Sequence, residues 1–261
     1  MCEFITSGFA SFKSISSAPC KPYDATRDGL TLGEAAGALL LTKNVDMADG
    51  SGIRLSGGAI SNDANHISGP SRTGDGLYYA IGNAMKEAGV KSEDIGFVNA
   101  HGTATRYNDE MESKAISLAE LSTVPTNSLK PYFGHTLGAC GVIESILSVW
   151  QLRNNIVFGT KGFTSLGTPM PLNINAEHSQ INTGVACLKI ASGFGGCNAA
   201  MVLAKDSESQ QGLTINEANI ATEKTVQICG SGDFAERIRE EYKALNSANL
   251  KFLKMDDVSK L

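Results

Sequence analysis

The chain has 261 residues, of which 42% are hydrophobic and 19% charged, with 28 glycines and a formal net charge of −5 at pH 7. This composition is typical of a folded α/β enzyme and excludes a chain that is disordered along its whole length. The acidic balance, without a basic patch large enough to neutralise many phosphates, argues against a nucleic-acid partner, so small molecules or proteins are expected.

The cysteines are isolated from one another along the chain, at Cys2, Cys20, Cys140, Cys187, Cys197 and Cys229. Because no C-x-x-C pair occurs, neither a disulfide framework nor a zinc or other metal site is predicted, and the pattern suits a reducing compartment. No run of about 18 apolar residues and no basic leader followed by an apolar stretch is present, so neither a membrane span nor export is expected. These features predict a cytoplasmic protein.

The first part of the chain predicts strands followed by a helix. "EAAGALLLTK" (residues 34–43) and "IRLSGGAIS" (residues 53–61) are predicted as strands. A helix follows, with Asp75 as its N-cap, Gly89 as its end, and an apolar face made of Leu77, Ala80, Ile81, Ala84, Met85 and Ala88. "DIGFVNA" is then a short buried strand, which places His101 just beyond its carboxyl end, where α/β folds commonly carry their chemistry.

The second part predicts two more helices and a closing hairpin. "NDEMESKAISLAEL" is predicted as a helix capped by Asn108, "VPTNSL" as a strand, and "LGACGVIESILSVWQLR" as a helix buried on all sides. Residues 183–205 are predicted as two strands joined by a glycine turn. Residues 206–261 change in composition and are predicted as a polar linker and a charged helical tail of unknown role.

Two histidines occupy similar settings, in "NAHGTAT" (His101) and "FGHTLGA" (His135). Two imidazoles on short loops bounded by glycine could act as paired hydrogen-bond donors to one substrate atom. Taken without further context, they could equally be core histidines whose nitrogens bond to backbone carbonyls. In the same way, Glu112 and Lys130 could be surface charges, and the threonines after His101 could simply cap a turn.

Five motifs in order carry a family resemblance: "PYDATRDGLTLGEAAGALLL", "SNDANHISGP", "NAHGTAT", "LKPYFGHTLGACG" and "GFGGCNAAMVL". Together they resemble the C-terminal half of a β-ketoacyl synthase, a condensing enzyme of fatty-acid and polyketide synthesis with the thiolase fold. The resemblance implies an α/β, thiolase-like half with a mixed five-stranded sheet and flanking helices. It assigns residues 1–32 to the end of an N-terminal half and residues 33–205 to the C-terminal domain.

The resemblance also implies a reaction. In this family an acyl group on a cysteine is attacked by the carbanion formed when malonyl carrier protein loses carbon dioxide. His101 and His135 match the two histidines that stabilise the resulting enolate by donating N–H groups to its oxygen. Lys130 and Glu112 match a buried lysine and glutamate, and we expect them to form an ion pair that positions the histidines.

Substrate-binding residues follow from the same resemblance. Thr103 and Thr105 match residues that bind the pantetheine arm, the N–H of Phe194 matches a donor to the acyl carbonyl, and Ser68 and His66 are expected to line the same channel. No cofactor is expected apart from the phosphopantetheine on which acyl carrier protein presents the substrate. The expected partners are acyl carrier protein and an N-terminal synthase half or paired synthase subunit, in a homo- or heterodimer, with no nucleic acid and no membrane.

The chain departs from the family at the nucleophile. The reactive cysteine of the family lies in an elbow well over a hundred residues before the first catalytic histidine, whereas only 100 residues precede His101. Neither Cys2 nor Cys20 is expected to lie at a helix N-terminus that would activate its thiol, and Cys140 and Cys197 are interpreted as small buried thiols. We therefore expect an acyltransferase by family that is inactive as an isolated chain, whether it is a chosen piece of a longer protein, the product of a split gene or a truncated reading frame.

A second departure concerns the acyl pocket. "IAS" (residues 190–192) stands where many family members have Asn-Ser-Phe, so the aromatic gate over the pocket is expected to be absent. Two function classes stay open. One is a catalytic synthase half, and the alternative is a non-catalytic partner similar to a chain-length factor. A thiolase is less favoured, because "SGFGGCNAA" lacks the Cys-x-Gly turn of that family.

Overall fold

A computed structural model describes residues 2–42 and 52–205. The predicted linker and helical tail in residues 206–261 lie outside these ranges, as does Lys43. The helices are α1 (Glu3–Ser11), α2 (Asp75–Ala88), α3 (Arg106–Leu118), α4 (Lys130–Phe133) and α5 (Cys140–Asn154). The strands are β1 (Ile53–Asn62), β2 (Ile95–Asn99), β3 (Thr126–Asn127), β4 (Ile156–Val157), β5 (Ser179–Gln180), β6 (Ala186–Gly193) and β7 (Cys197–Lys205).

The main sheet has five strands in the order β1-β7-β6-β2-β3. Strands β6, β2 and β3 run parallel to one another, whereas β7 is antiparallel to both β1 and β6. The predicted mixed five-stranded sheet is therefore confirmed, and β6 and β7 form the predicted hairpin. Strands β4 and β5 form a separate two-stranded antiparallel sheet.

Helices cover both faces of the main sheet. The apolar residues of α2 and α3 pack with Leu188 and Ile190 of β6 in one core cluster. Cys187, on the opposite face of β6, belongs to a second cluster with Phe97 and with Leu152 of α5. Because side chains alternate along a strand, Lys189 is directed to the same face as Cys187, toward α5.

The predicted N-caps of α2 and α3 differ from the observed ones by one and three residues. Gly74, not Asp75, is the N-cap of α2, whereas Gly89 ends this helix as predicted, with φ of 69°. Helix α3 begins at Arg106 after the N-cap residue Thr105, so Asn108 lies within its first turn. The side chain of Asn108 is engaged by Glu112 instead of the helix start, which accounts for the error.

The predicted strand in residues 34–43 is wrong for its described part, because residues 34–42 have no regular secondary structure. Leu40 is 79% exposed and Leu41 is 68% exposed. A continuously apolar strand requires neighbouring strands and cover on both faces, and none of the described strands pairs with this segment. The segment runs past α5, where a Cβ at Gly37 would approach Ile143 Cδ1 to 2.8 Å.

Helix α5 is largely covered, as predicted, but its best-buried side is polar. The fully buried polar residues are Glu144, Ser145, Ser148 and Gln151. The apolar side, which includes Val142, Ile143 and Ile146, is only half-buried. The helix therefore directs its polar groups into the molecule, toward the loops that follow β2 and β3. None of the helices in the described ranges has the length and hydrophobicity needed to cross a membrane.

Candidate active site

His101 lies immediately beyond β2, a central strand between the parallel strands β6 and β3. Carboxyl ends of parallel strands meet at one edge of a sheet, and side chains there face a common space. The loop after His101 is conformationally strained, because Ala104 has φ of 62° although it is not glycine. Such strain is often found at functional sites.

Glu112 of α3 holds the backbone of this loop. Its carboxylate accepts hydrogen bonds from the backbone N–H groups of His101 and Gly102, both at 2.7 Å. The Tyr23 hydroxyl donates to it at 3.0 Å and the Asn108 amide at 2.8 Å. Burial raises the pKa of Glu112, and the donors counteract that effect. Glu112 therefore fixes the backbone of the His101 loop.

Lys130 holds the same histidine from the other side, but it does not pair with Glu112 as predicted. Its ammonium donates to the His101 carbonyl, lies 3.3 Å from His101 Nδ1, and donates to Glu144 Oε1 at 2.7 Å. An ammonium has three N–H groups, so all of them have partners. The predicted ion pair is wrong because Glu112 is occupied by backbone donors, and Glu144 is the carboxylate that reaches Lys130.

His135 is fixed by residues 31–33, which run alongside it. The backbone N–H of His135 donates to the Thr31 carbonyl at 2.6 Å, and the His135 carbonyl accepts from the Gly33 N–H at 3.0 Å. This close approach requires two glycines, because a Cβ at Gly33 would lie 1.9 Å from Phe133 O and one at Gly134 would lie 2.7 Å from Gly33 N. Gly33, the first glycine of the "TLGEAAG" stretch, therefore allows the chain to pass close enough to fix the backbone of His135.

The two imidazoles meet at an angle, with ring centroids 5.1 Å apart and planes at 84°. Leu137 N–H donates to His135 Nδ1 at 3.1 Å, and the Lys130 ammonium faces His101 Nδ1. Neither group can accept a hydrogen bond, so both Nδ1 atoms act as acceptors. In the neutral rings the N–H is therefore on Nε2, which gives the site two Nε2–H donors.

Both imidazoles are held in the neutral form. Burial lowers the pKa of His101 well below its ordinary value, and the nearby Lys130 and Lys189 charges lower it further. Burial and Lys130 lower the pKa of His135 to about 3, with Glu144 acting in the opposite direction. Both rings are thus uncharged near neutral pH.

Glu144 is shared by two lysines. Lys130 contacts its Oε1 atom, and Lys189 Nζ lies 2.6 Å from its Oε2 atom. Burial alone would raise the pKa of Glu144, but the two ammonium charges outweigh burial and the net change is downward. His101, Cys140 and Glu144 bring their ligand-type atoms within 4.8 Å of one another. A cation there would be repelled by both ammonium groups, so the trio is better suited to an anion-stabilising site than to a metal.

The expected substrate-binding residues form two groups. Thr103 and Thr105 lie on the His101 loop and share a hydroxyl hydrogen bond of 2.8 Å. Ser68 lies on a separate loop, where its N–H donates to His66 Nδ1 at 3.2 Å. This loop meets the turn of Phe194 through the bond from Gly195 N to Ile67 O. The Phe194 ring, 55% exposed, stacks on Phe9.

Three of the expectations for the cysteines can be compared with the structure. Cys2 is the N-cap residue of α1, so the expectation that it lies at no helix N-terminus is wrong. Cys140 is buried, as predicted, but it lies inside the site beside His101 and not at a neutral core position. Cys197 is exposed, so its interpretation as a buried thiol is wrong. The reason is its place at the start of β7, immediately after the glycine turn.

Sequence reasoning missed Glu144 and Lys189. Both had a detectable signal, because each is the single charged residue in a largely apolar run, "GVIESIL" and "VACLKIA". Charged residues are almost never fully buried unless they are paired. Their pairing could not be predicted, because it depends on how α5 packs across β6.

Comparisons with known proteins place the chain in one family. Residues 53–164 match the family model described as beta-ketoacyl synthase, C-terminal domain. A 3-oxoacyl-[acyl-carrier-protein] synthase 2 of Rhizobium meliloti is 33% identical over 217 residues, which cover 78% of this chain and 51% of that protein. The protein of the same name from Mycobacterium leprae is 35% identical, covering 70% of this chain and 44% of that protein.

Solved structures give the same result. A ketosynthase in complex with its chain length factor, from Xenorhabdus doucetiae, is similar with a TM-score of 0.73 and 31% identity, covering 78% of this chain and 51% of that one. A type II polyketide synthase acyl-carrier protein in complex with its ketosynthase is similar with a TM-score of 0.71 and 26% identity, covering 78% of this chain and 53% of that one. The fold is therefore the thiolase-like fold of these ketosynthases.

Proposed function

Because the chain belongs to the β-ketoacyl synthase family, whose C-terminal domain it carries, we propose that it supplies the two-histidine part of a synthase active site. The reaction is a decarboxylative Claisen condensation of an acyl thioester with malonyl carrier protein, in fatty-acid or polyketide synthesis. The observation that carries this proposal is the arrangement of the two imidazoles, each with its Nδ1 occupied as an acceptor.

The proposed role of the imidazoles is to stabilise an enolate. When the malonyl group loses carbon dioxide, the electron pair of the broken C–C bond moves onto the thioester oxygen. The Nε2–H groups of His101 and His135 donate to that oxygen. The enolate carbon then attacks the acyl carbonyl, and the cysteine thiolate leaves. Donors placed where charge develops in a transition state are each typically worth about 100- to 1,000-fold in rate.

The neutral state of the rings suits this role. An imidazolium is an acid strong enough to transfer its proton to the enolate, which would end the reaction before the new bond forms. A neutral imidazole donates a hydrogen bond and keeps its proton. The low pKa of both histidines therefore supports their assignment as donors and not as proton sources.

Lys130 and Glu112 act in this proposal as positioning residues. Glu112 holds the His101 N–H, and Lys130 holds the His101 carbonyl and Nδ1. With these contacts the His101 ring keeps one orientation and one tautomer. Preorganised donors need no rearrangement when the charge develops.

We propose the following substrate contacts, which are based on the family resemblance. Thr103 and Thr105 bind the pantetheine arm of the carrier protein through their hydroxyl groups. The N–H of Phe194 donates to the acyl carbonyl, and Ser68 lines the same channel. The contact between the Ser68 loop and the Phe194 turn supports a common location for these two residues.

The chain spans about half the length of the curated relatives it matches, 51% of the Rhizobium protein. We propose that an N-terminal synthase half or a paired synthase subunit supplies the cysteine that carries the acyl group, and that acyl carrier protein delivers malonate. The exposed apolar segment at Leu40 and Leu41 supports such a partner. The alternative is a non-catalytic subunit similar to a chain-length factor. The presence of all four site residues, His101, His135, Lys130 and Glu112, favours the catalytic proposal.

The test is decarboxylation of malonyl carrier protein by the complex of this chain with its N-terminal half. His101→Ala and His135→Ala should each lower the rate about 100- to 1,000-fold, while acylation of the cysteine changes less. His178→Ala, in which the lost histidine lies outside the site, is the matched control. Parent-like decarboxylation by both site variants would remove the two histidines from the mechanism.

A further inference from the structure

Lys189 occupies an unusual position for a lysine. It is in the central strand β6, where it pairs with Asn99 of β2 and with Met201 of β7. The residue is only 2% exposed. Because it pairs with Asn99, the last residue of β2, Lys189 lies beside the point where the chain leads into His101. Desolvating an ammonium is costly, so the contacts that compensate it indicate its role.

Those contacts connect Lys189 to the histidine site. Its Nζ atom lies 2.6 Å from Glu144 Oε2 and donates to the Ile190 carbonyl at 2.7 Å. The other carboxylate oxygen, Glu144 Oε1, is taken by Lys130 at 2.7 Å. Two positive charges thus share one negative charge, and all three side chains are at most 2% exposed.

Building on the proposed function, we propose that Lys189 is a further positioning residue of the site, which holds both imidazoles neutral and gives the Lys130–Glu144–Lys189 cluster one net positive charge beside them. Without Lys189, Lys130 and Glu144 would form a pair with no net charge. Glu144 Oε2 would also be left buried without its ammonium partner, and the Glu144 charge already favours the protonated form of His135. A buried carboxylate in that state favours the imidazolium form of a nearby histidine.

The charges that face the two rings come from several elements. Lys130 of α4 and Lys189 of β6 oppose protonation, and Glu144 of α5 favours it at His135. Glu112 of α3 is directed at the backbone N–H groups of the His101 loop, and the Cys140 side chain lies beside His101. Lys189 is therefore the charge that offsets Glu144 without itself touching either ring.

The test is an NMR titration of the histidine ring signals in the full chain, which has only four histidines. Lys189→Met should raise the pKa values of His101 and His135 by about one unit or more. Lys189→Arg, which keeps the charge, should return them toward the parent values. Lys91→Met, which removes a lysine that is 79% exposed, is the matched control and should change neither.

If Lys189→Met does not fold, Lys189→Gln decides the question, because its amide can still donate to Glu144 but carries no charge. A folded Lys189→Met or Lys189→Gln variant whose two histidines titrate as in the parent would overturn the role of Lys189. This outcome is separate from a failure of the proposed function, which would appear as unchanged decarboxylation in the His101→Ala and His135→Ala complexes.

Discussion

At the residue scale, the neutral state of His135 links the site to the stability of the fold. Its pKa falls from 6.5 to about 3 on folding, so between these values the unfolded chain binds a proton that the native chain does not. Acid therefore favours unfolding, and stability falls as pH decreases from about 6.5 toward 3. The contribution is at most about 1.4 kcal/mol per pH unit.

This prediction can be measured by urea unfolding at several pH values between about 4 and 6. His135→Gln should show a shallower loss of stability with acid than the parent chain. His66→Gln, which removes a histidine from an exposed loop, should keep the parent slope. Equal slopes for the parent and His135→Gln would mean that His135 is protonated in the native state.

The partner of Lys130 is a second prediction at this scale. The contacts pair Lys130 with Glu144 and not with Glu112. In double-mutant cycles on the free energy of unfolding, Lys130→Met and Glu144→Gln should be coupled by up to about 3 kcal/mol. The cycle with Glu112→Gln should give a smaller coupling. A larger coupling of Lys130 with Glu112 than with Glu144 would support the ion pair that the sequence predicted.

Sequence patterns were sufficient to find the residues of this site whose neighbours are close in the chain. His101, with glycine and threonine after it and a buried strand before it, is such a case. Glu144 and Lys189 are of the other kind, because each is explained only by a residue far away in the sequence. Glu112 lies between these cases, since the sequence indicates its importance but not that backbone N–H groups satisfy it.

At the scale of elements, the contact between the segment of residues 31–33 and the His135 loop depends on two glycines. A side chain at Gly33 would collide with Phe133 O, and Gly134 has φ of 79°. We expect Gly33→Ala and Gly134→Ala each to lower the free energy of unfolding by roughly 1–3 kcal/mol. Thermal or urea unfolding would measure this loss.

The matched control lies in α2. A Cβ at Gly82 would meet nothing within 4 Å, and alanine is favoured over glycine in a helix interior. Gly82→Ala should therefore raise stability by about 0.5–1 kcal/mol. If Gly33→Ala and Gly134→Ala were as stable as Gly82→Ala, the close contact that fixes His135 would not exist.

Element types followed from sequence periodicity where one face of the element is buried. Helix α2 is an example, with Leu77, Ala80, Ile81 and Ala84 all buried. Periodicity failed for the apolar segment of residues 34–42, because a strand also needs a neighbour, and no pattern within a segment reports whether one is present. For α5 the apolar composition predicted that the helix is buried, but it did not predict that the polar side is the best-buried one.

At the scale of the whole molecule, the fold leaves large apolar side chains at its surface. Phe4, Leu40, Ile60 and Ile67 are each at least 79% exposed. Monomeric proteins rarely expose large apolar patches, so the isolated chain should associate as its concentration rises. Light scattering should show a mass above that of the monomer, and Leu40→Ser with Leu41→Ser should reduce it. A clean monomer at high concentration would contradict this expectation.

The order of motifs was sufficient to predict the mixed sheet and the family, because each motif marks a strand end or a turn with fixed chemistry. The packing of the helices on the sheet was not predictable in the same way. The position of α5 determines which charges meet at Glu144, and it depends on contacts with β6 and β7 that no local pattern reports.

The central claim is that His101 and His135 are neutral rings that present their Nε2–H groups. Long-range ¹H–¹⁵N NMR of the imidazole nitrogens in the full chain near neutral pH tests it directly. We predict an unprotonated Nδ1 and a protonated Nε2 for both residues, which His101→Ala and His135→Ala would assign. A protonated Nδ1 on either ring, as in imidazolium or in the other tautomer, would contradict the account.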